Sequence, residues 1–257
     1  MRLGAHMSIG GGVDKAAVRG QEVGCEAMQI FTKNSNQWKA KALTPGVITA
    51  YHEACRAAGI TPVIAHSAYL INLAAPDDAL YEKSIQAFLD ELHRCDALDI
   101  PHLVVHPGAH MGTGEAQGLR RIAAAIDRVH REAPELRARV ALEVTAGQGS
   151  ALGYKFEHFA TLLEQVESPE RLGFCLDTCH LLAAGYDFRT PQSYDQMFDA
   201  WDALIGIERI RVIHLNDSKK DLGCHVDRMS TSGRDALGPQ GLSSCSMIRA
   251  CPRFPWC

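Results

Sequence analysis

His66, His106, Glu143, Asp177 and His214 are the residues of this sequence best placed to do chemistry. Imidazoles and carboxylates both bind divalent metal ions, through nitrogen and oxygen. Each of the five directly follows a short apolar run: PVIA, LVV, VAL, FCL and RVI in turn. Successive intervals are 40, 37, 34 and 37 residues, the length of one strand-plus-helix unit. The five therefore sit at one level of one sheet, and in a closed barrel the C-terminal strand ends converge on a common mouth. One such residue at a strand end is commonly structural. Five in phase are not, because buried imidazoles and carboxylates without a cation or partner carry a large desolvation cost. Three imidazoles and two carboxylates pointing at one place describe a polynuclear metal site suited to zinc or manganese. That pattern specifies a metal site and leaves the substrate open.

One further ligand candidate follows. His180 stands three residues after Asp177 in Asp177-Thr178-Cys179-His180 and can face a different metal of the same cluster. Asp227 follows His214 by thirteen residues and, taken alone, reads as a solvated loop aspartate. His6, His110 and His225 are weaker candidates, with His6 expected in a hydrogen-bonded structural role at the end of the first strand. His52, His93, His102, His130 and His158 are assigned to helices or surface turns and to no function.

The elements that must position these groups alternate along the chain. Short apolar runs at Leu3–Met7, Ala27–Phe31, Pro62–Ala65, Leu103–Val105, Val140–Leu142, Gly173–Leu176 and Ile210–Ile213 predict buried parallel strands. Helical periodicity fills Asp14–Val23, Pro45–Ala58, Asp77–Leu98, Gly114–Glu132, Lys155–Val166 and Pro191–Ile205. Thr44-Pro45 and Thr190-Pro191 read as N-cap and first helical residue. Seven such units without an interdomain linker predict a single α/β domain, a TIM (β/α)8 barrel with the eighth strand missing or altered. A doubly wound sheet would want a Gly-rich phosphate loop after the first strand, and Gly10-Gly11-Gly12 lacks the GxGxxG spacing.

Composition narrows the function. The chain has 257 residues, 46% hydrophobic and 22% charged, enough to bury a large core. Its formal charge of −4 excludes a general basic coat, so contact with nucleic acid must rest on local patches or on metal. The longest apolar-rich stretch, Ile60 to Pro76, is too short and polar to span a membrane, and the N-terminus has no signal-peptide core. Cys25, Cys55, Cys95, Cys175, Cys179 and Cys224 lack CxxC spacing and read as reduced thiols of a cytoplasmic protein.

Several motifs together resemble endonuclease IV, the zinc-dependent apurinic/apyrimidinic endonuclease of base-excision repair. They are Gly4-Ala5-His6-Met7-Ser8, Phe31-Thr32-Lys33-Asn34, His66-Ser67-Ala68-Tyr69-Leu70-Ile71-Asn72-Leu73, His106-Pro107-Gly108, Thr145-Ala146-Gly147-Gln148-Gly149, Asp177-Thr178-Cys179-His180-Leu181 and His214-Leu215-Asn216-Asp217-Ser218-Lys219. The likeness runs from residue 3 to Arg228. It implies a TIM barrel holding three zinc ions. His66 and His106 would hold one zinc, and Glu143 would bridge it to a second bound by Asp177 and His214. His180 and Asp227 would hold the third. The implied reaction is hydrolysis of the phosphodiester 5′ to an abasic site in double-stranded DNA, leaving a 3′-hydroxyl and a 5′-deoxyribose phosphate. In that scheme two zincs activate a water for in-line attack and the third stabilises the leaving oxygen. Tyr69 and Leu70 match the residues that wedge into the gap left by a flipped-out sugar. Lys33 and Lys39 would lie near phosphate, in a loop where Asn36 replaces an arginine common in the family. A monomer is expected.

The resemblance weakens beyond Arg228. The family's next residue is a histidine ligand of the third zinc; here it is Met229, and a thioether is a poor zinc ligand. The family's eighth strand ends in a glutamate that completes the second zinc, whereas no acidic residue or histidine follows Asp235 here. Codons for His-Glu-His-Ile read one base late give Met-Ser-Thr-Ser, which is Met229-Ser230-Thr231-Ser232. Residues 1–228 thus read as the barrel domain. Residues 229–257, with Cys245, Cys251 and Cys257, read as an atypical tail, either out of frame or a true variant. Expected consequences are a barrel edge exposed between the first and seventh strands, a weakened third zinc and an incomplete second. Two other readings stand beside the endonuclease: a metal-dependent sugar isomerase or epimerase on the same barrel, and a catalytically impaired remnant that binds abasic DNA.

Overall fold

A computed structural model describes residues 2–230 and 235–237. Seven parallel strands form one curled sheet in chain order: β1 (Gly4–His6), β2 (Ala27–Phe31), β3 (Val63–His66), β4 (His102–Val105), β5 (Arg139–Glu143), β6 (Leu172–Asp177) and β7 (Ile210–His214). Helices α1 (Val13–Glu22), α2 (Pro45–Ala58), α3 (Asp78–Ala97), α4 (Glu115–Glu132), α5 (Phe156–Gln165), α6 (Thr178–Ala184) and α7 (Pro191–Leu204) connect them. A two-stranded ladder, β8 (Asp217–Ser218) with β9 (Met229–Ser230), follows β7. The architecture is the expected TIM-barrel type, and strand order by sequence follows from right-handed crossovers between neighbours. Among the described residues β1 and β7 do not pair, so they are the two edges of the sheet. The span proposed for an eighth strand lies outside the described residues, as do Cys245, Cys251 and Cys257.

The helix ends follow their local chemistry. Thr44 Oγ1 accepts from Val47 N–H, and Thr190 and Ser193 form a reciprocal capping box ahead of α7. Asp77 lies outside α3 as its N-cap, accepting from Leu80 N–H. The sequence reading missed α6, because Asp177 is both a strand end and the N-cap whose carboxylate accepts from His180 N–H at 3.0 Å. His102 opens β4 and does not lie in a helix or turn.

Side chains on successive strand residues point to opposite faces, and this alternation places the site. Outward-facing Ile30, Ala65, Leu103, Val105, Val140, Leu142, Phe174 and Leu176 pack against the helices in the main core. Inward, two residues below each expected ligand, lie Ile64, Val104, Ala141, Cys175 and Val212, which form a separate small cluster. That cluster is the floor beneath the mouth. It is almost wholly apolar, so polar atoms above it cannot find water from below.

The outer core has a clear anchor in Trp201 of α7, which is fully buried. Its ring meets Phe156 at 5.0 Å, Phe174 at 5.5 Å and Phe159 at 5.9 Å, tying α5 and α7 to β6. None of the described helices is long and apolar enough to cross a membrane. Replacing Trp201→Ala is expected to cost about 3–5 kcal/mol in chemical denaturation, the range for truncating a large buried aromatic. A loss below about 1 kcal/mol would show that the α5–α7–β6 contact is not a stabilising core.

Candidate metal centre

Glu143 is the last residue of β5 and 1% exposed. Four imidazoles surround its carboxylate. Oε2 lies 3.0 Å from His66 Nε2 and 3.2 Å from His106 Nε2. Oε1 lies 2.9 Å from His214 Nδ1 and 3.4 Å from His180 Nδ1. Asp177, fully buried at the end of β6, brings Oδ2 to 3.7 Å from His214 Nδ1. His180 then turns its Nε2 outward to Asp227 Oδ2 at 3.3 Å. All seven residues expected as ligands thus lie in one connected cluster at the C-terminal ends of the strands.

The outer ring nitrogens decide what this cluster can hold. His66 Nδ1 lies 2.8 Å from the Ser67 carbonyl oxygen, and His180 Nδ1 lies 2.8 Å from that of Val144. His214 Nε2 lies 2.8 Å from Gln29 Oε1. In each case an oxygen acceptor takes the N–H of one ring nitrogen. The lone pair of the other nitrogen then faces a carboxylate, Glu143 for His66 and His214 and Asp227 for His180. Acceptor facing acceptor is stable only with a cation between them, either a proton or a metal ion. Fixing the outer N–H on a carbonyl while the inner nitrogen meets the cation is how metal-binding histidines are oriented. The donor set, nitrogen and carboxylate oxygen with no exposed thiolate, fits a zinc-like ion.

The charges agree. Burial works against ionising Glu143, yet the charges of His214 and His106 hold its pKa well below the carboxylate range. Burial likewise opposes charging His180, but Asp177, Asp227 and Glu143 push it up to about 12. Asp227 is lowered by its bond to His180. The site thus favours the charged form of a buried carboxylate, which attracts positive charge.

Three donor groups are within reach of one another: His66, His106 and Glu143; Glu143, Cys175 and His214; and Glu143, Asp177 and His180. Cys175 belongs to the floor and is a buried thiol. Asn216 holds Asp177 in place, its amide donating to Oδ2 at 2.6 Å. Asn72 bonds both polar groups of Ala109 with its amide, joining the loops after β3 and β4. Gly108 runs beside that amide at φ 124°, and a Cβ there would come within 2.4 Å of Asn72 Oδ1. The motifs containing Asn72 and Gly108 therefore join the loops that carry His66 and His106.

Other histidines stay outside the cluster. His6 bonds Gln29, as a structural role required. His110 accepts from Gly112 and Gly114 N–H at the entry to α4. With His225, Glu115 and Tyr154 it lines a neighbouring polar cavity of about 180 Å³. At the rim Tyr69 is 61% exposed, its ring 5.4 Å from that of His66 and 5.9 Å from that of His106. Leu70 is half-buried and Lys39 exposed. Lys33 corrects the sequence reading. Its ammonium is buried against Asp90 at 3.3 Å and Glu91 at 3.5 Å, so it is not a surface cation for phosphate. Met229 is 40% exposed and pairs through its backbone with Ser218. Asp217 is structural: its carboxylate accepts from the N–H groups of Ser218, Asp235 and Leu237.

Gln29 was not a candidate from sequence, since an amide in a strand carries no ligand signal. Its amide also donates toward His6 Nδ1 at 3.2 Å, linking β1 and β2 to β7 at the mouth. Gln29→Ala is expected to weaken zinc binding about 10- to 100-fold in competition with a chromogenic chelator, the usual cost of losing such a partner. Unchanged affinity would mean that His214 needs no such orientation.

Comparison with known proteins agrees with this picture. A family profile described as a xylose isomerase-like TIM barrel matches residues 16–242. The chain is 53% identical over 253 residues to a probable endonuclease 4 of Chloroflexus aurantiacus, covering 98% of this chain and 88% of that protein. It is 49% identical over 236 residues to a probable endonuclease 4 of Geobacter sulfurreducens, covering 92% and 80%. Among solved structures, endonuclease IV from Thermus thermophilus superposes with a TM-score of 0.85 at 34% identity, covering 99% of this chain and 91% of that one. A D-tagatose 3-epimerase-like protein superposes with a TM-score of 0.72 at 16% identity, covering 98% and 89%, a likeness of fold alone.

Proposed function

The chain belongs to the endonuclease IV family of xylose isomerase-like TIM barrels, and from that premise we propose that it hydrolyses the phosphodiester 5′ to abasic sites in double-stranded DNA, using zinc. It is a metal-dependent hydrolytic endonuclease of DNA repair. The observation that carries the finer reading is the buried Glu143 carboxylate, shared between two pairs of imidazoles.

His66, His106 and Glu143 Oε2 would hold one zinc, and Glu143 Oε1, Asp177 and His214 a second. His180 Nε2 and Asp227 would hold a third. When bound, the cations supply Lewis acidity toward phosphate oxygens and lower the pKa of water toward neutrality. The protein contributes placement. Glu143 keeps its charge against the imidazoles, so one carboxylate can serve two neighbouring ions. Asn216 and Gln29 lock Asp177 and His214 in fixed orientations before any substrate arrives, which spares reorganisation during reaction. The apolar floor of Ile64, Val104, Ala141 and Val212 excludes water from below and strengthens every charge interaction above it. Tyr69 stands exposed beside His66 and His106, where an aromatic ring can fill the gap left by an extruded sugar. Leu70 accompanies it, and Lys39 is the loop cation for phosphate. Met229 offers only a thioether, so His180 and Asp227 would hold a third zinc without a further imidazole, and more weakly than His66, His106 and Glu143 would hold the first. The protein acts as a monomer.

The test is incision of a duplex carrying one abasic site. After chelator treatment activity is expected to vanish and to return on adding zinc, with products ending in a 3′-hydroxyl and a 5′-deoxyribose phosphate. Glu143→Gln is expected to lower the rate by about a hundredfold or more, since both ion pairs share that residue. Turnover of ketoses without incision would favour the isomerase reading. Tight binding of abasic DNA without incision at saturating zinc would favour the binding-only reading.

A further inference from the structure

Lys33 and Glu91 form a buried ion pair at some remove from the metal ligands, and both touch the loops that edge the mouth. Glu91, on α3, has a fully buried side chain whose Oε1 accepts from the backbone N–H of Ala68 at 2.9 Å. Ala68 lies between His66 and Tyr69 in the loop after β3. The same Oε1 lies 3.5 Å from Lys33 Nζ. Lys33 in turn donates to the Trp38 carbonyl at 3.2 Å, in the loop after β2 that carries Lys39. One turn along α3, Arg94 brackets that loop by donating to the carbonyls of Thr32 and Lys41. Lys83, also on α3, sits 4.3 Å above the Trp38 ring.

This buried pair, with the exposed Asp90 as a second α3 carboxylate 3.3 Å from Lys33 Nζ, thus joins one helix to both loops. Burying two charges is costly unless their geometry is good and further hydrogen bonds compensate them. Here Lys33 Nζ donates to loop backbone and Glu91 Oε1 accepts from it, while Glu91 Oε2 has no hydrogen-bond partner among the described residues. Removing such a pair in favour of apolar side chains is often neutral or stabilising for a fold. Its location therefore suggests a role in geometry. We propose that Lys33 and Glu91 are positioning residues that fix the Tyr69 loop and the Lys39 loop relative to each other and to the metal ligands, setting DNA affinity without touching DNA or metal. The part concerning DNA rests on the function proposed above.

Two double variants separate this role from stability. Lys33→Met with Glu91→Met removes both charges and the acceptor for Ala68 N–H. Lys33→Met with Glu91→Gln removes both charges but keeps an acceptor. The first is expected to bind zinc as the unaltered protein does and to unfold at a similar denaturant concentration. Its KM for an abasic duplex is expected to rise about tenfold or more while kcat changes by less than about threefold, the signature of lost binding without lost chemistry. Backbone hydrogen exchange across residues 67–70 and 34–41 is expected to quicken. The glutamine variant is expected to recover slow exchange at 67–70 but not at 34–41, and to recover the KM only in part. Unchanged exchange and KM in the methionine variant, or a fall in kcat with KM unchanged, would overturn the proposal. Should the unaltered protein fail to incise abasic DNA, the functional reading falls, and hydrogen exchange alone still decides whether the pair fixes the loops.

Discussion

A carboxylate with almost no access to water, placed among four imidazole nitrogens, is the constraint on which the site depends. Glu143 cannot be solvated, and its charge is maintained only because His66, His106, His180 and His214 stand within 3.4 Å. Two of those rings are committed on the far side, His66 to Ser67 and His214 to Gln29, while His180 turns the same Nδ1 to Glu143 and the Val144 carbonyl and its far nitrogen to Asp227. The cluster therefore has positions for cations and few for anything else. Every other feature of the mouth serves to hold these groups at this separation.

The barrel meets that demand through strand periodicity. His66, His106, Glu143, Asp177 and His214 each occupy the last inward position of a strand or the residue just beyond, and the residue two places earlier belongs to the apolar floor. Parallel neighbours in register bring Asp177 beside His214 and Phe31 beside His66. Loops that would otherwise move are tied to one another, by Asn72 between the β3 and β4 loops and by Glu91 between α3 and the Tyr69 loop. Gln29 makes a corresponding link from β2 to β7, across the side of the sheet where β1 and β7 are unpaired among the described residues.

How much of this could be read beforehand differs by residue. The cluster around Glu143 was legible because residues at the C-terminal ends of barrel strands repeat with the βα unit and so appear at near-constant spacing. Thr44 and Thr190 were legible because a cap acts on backbone two or three residues away. Gln29 and Asn216 were not, since their partners lie 185 and 39 residues distant in sequence and an amide carries no chemical signature alone. Lys33 was misread for a related reason. A lysine in a loop motif looks like a surface cation, and only the packing of α3 reveals two carboxylates beside it. The short helix α6 was hidden because Asp177 performs two tasks at once, strand end and N-cap.

The central claim is that Glu143 binds cations shared between its two oxygens. Zinc titration of the metal-free protein, followed by calorimetry and compared with Glu143→Gln, addresses it most directly. The account predicts at least two ions bound per unaltered chain, and loss of tight binding at both positions from that one substitution. A variant that binds the same number of ions with the same affinity would contradict it.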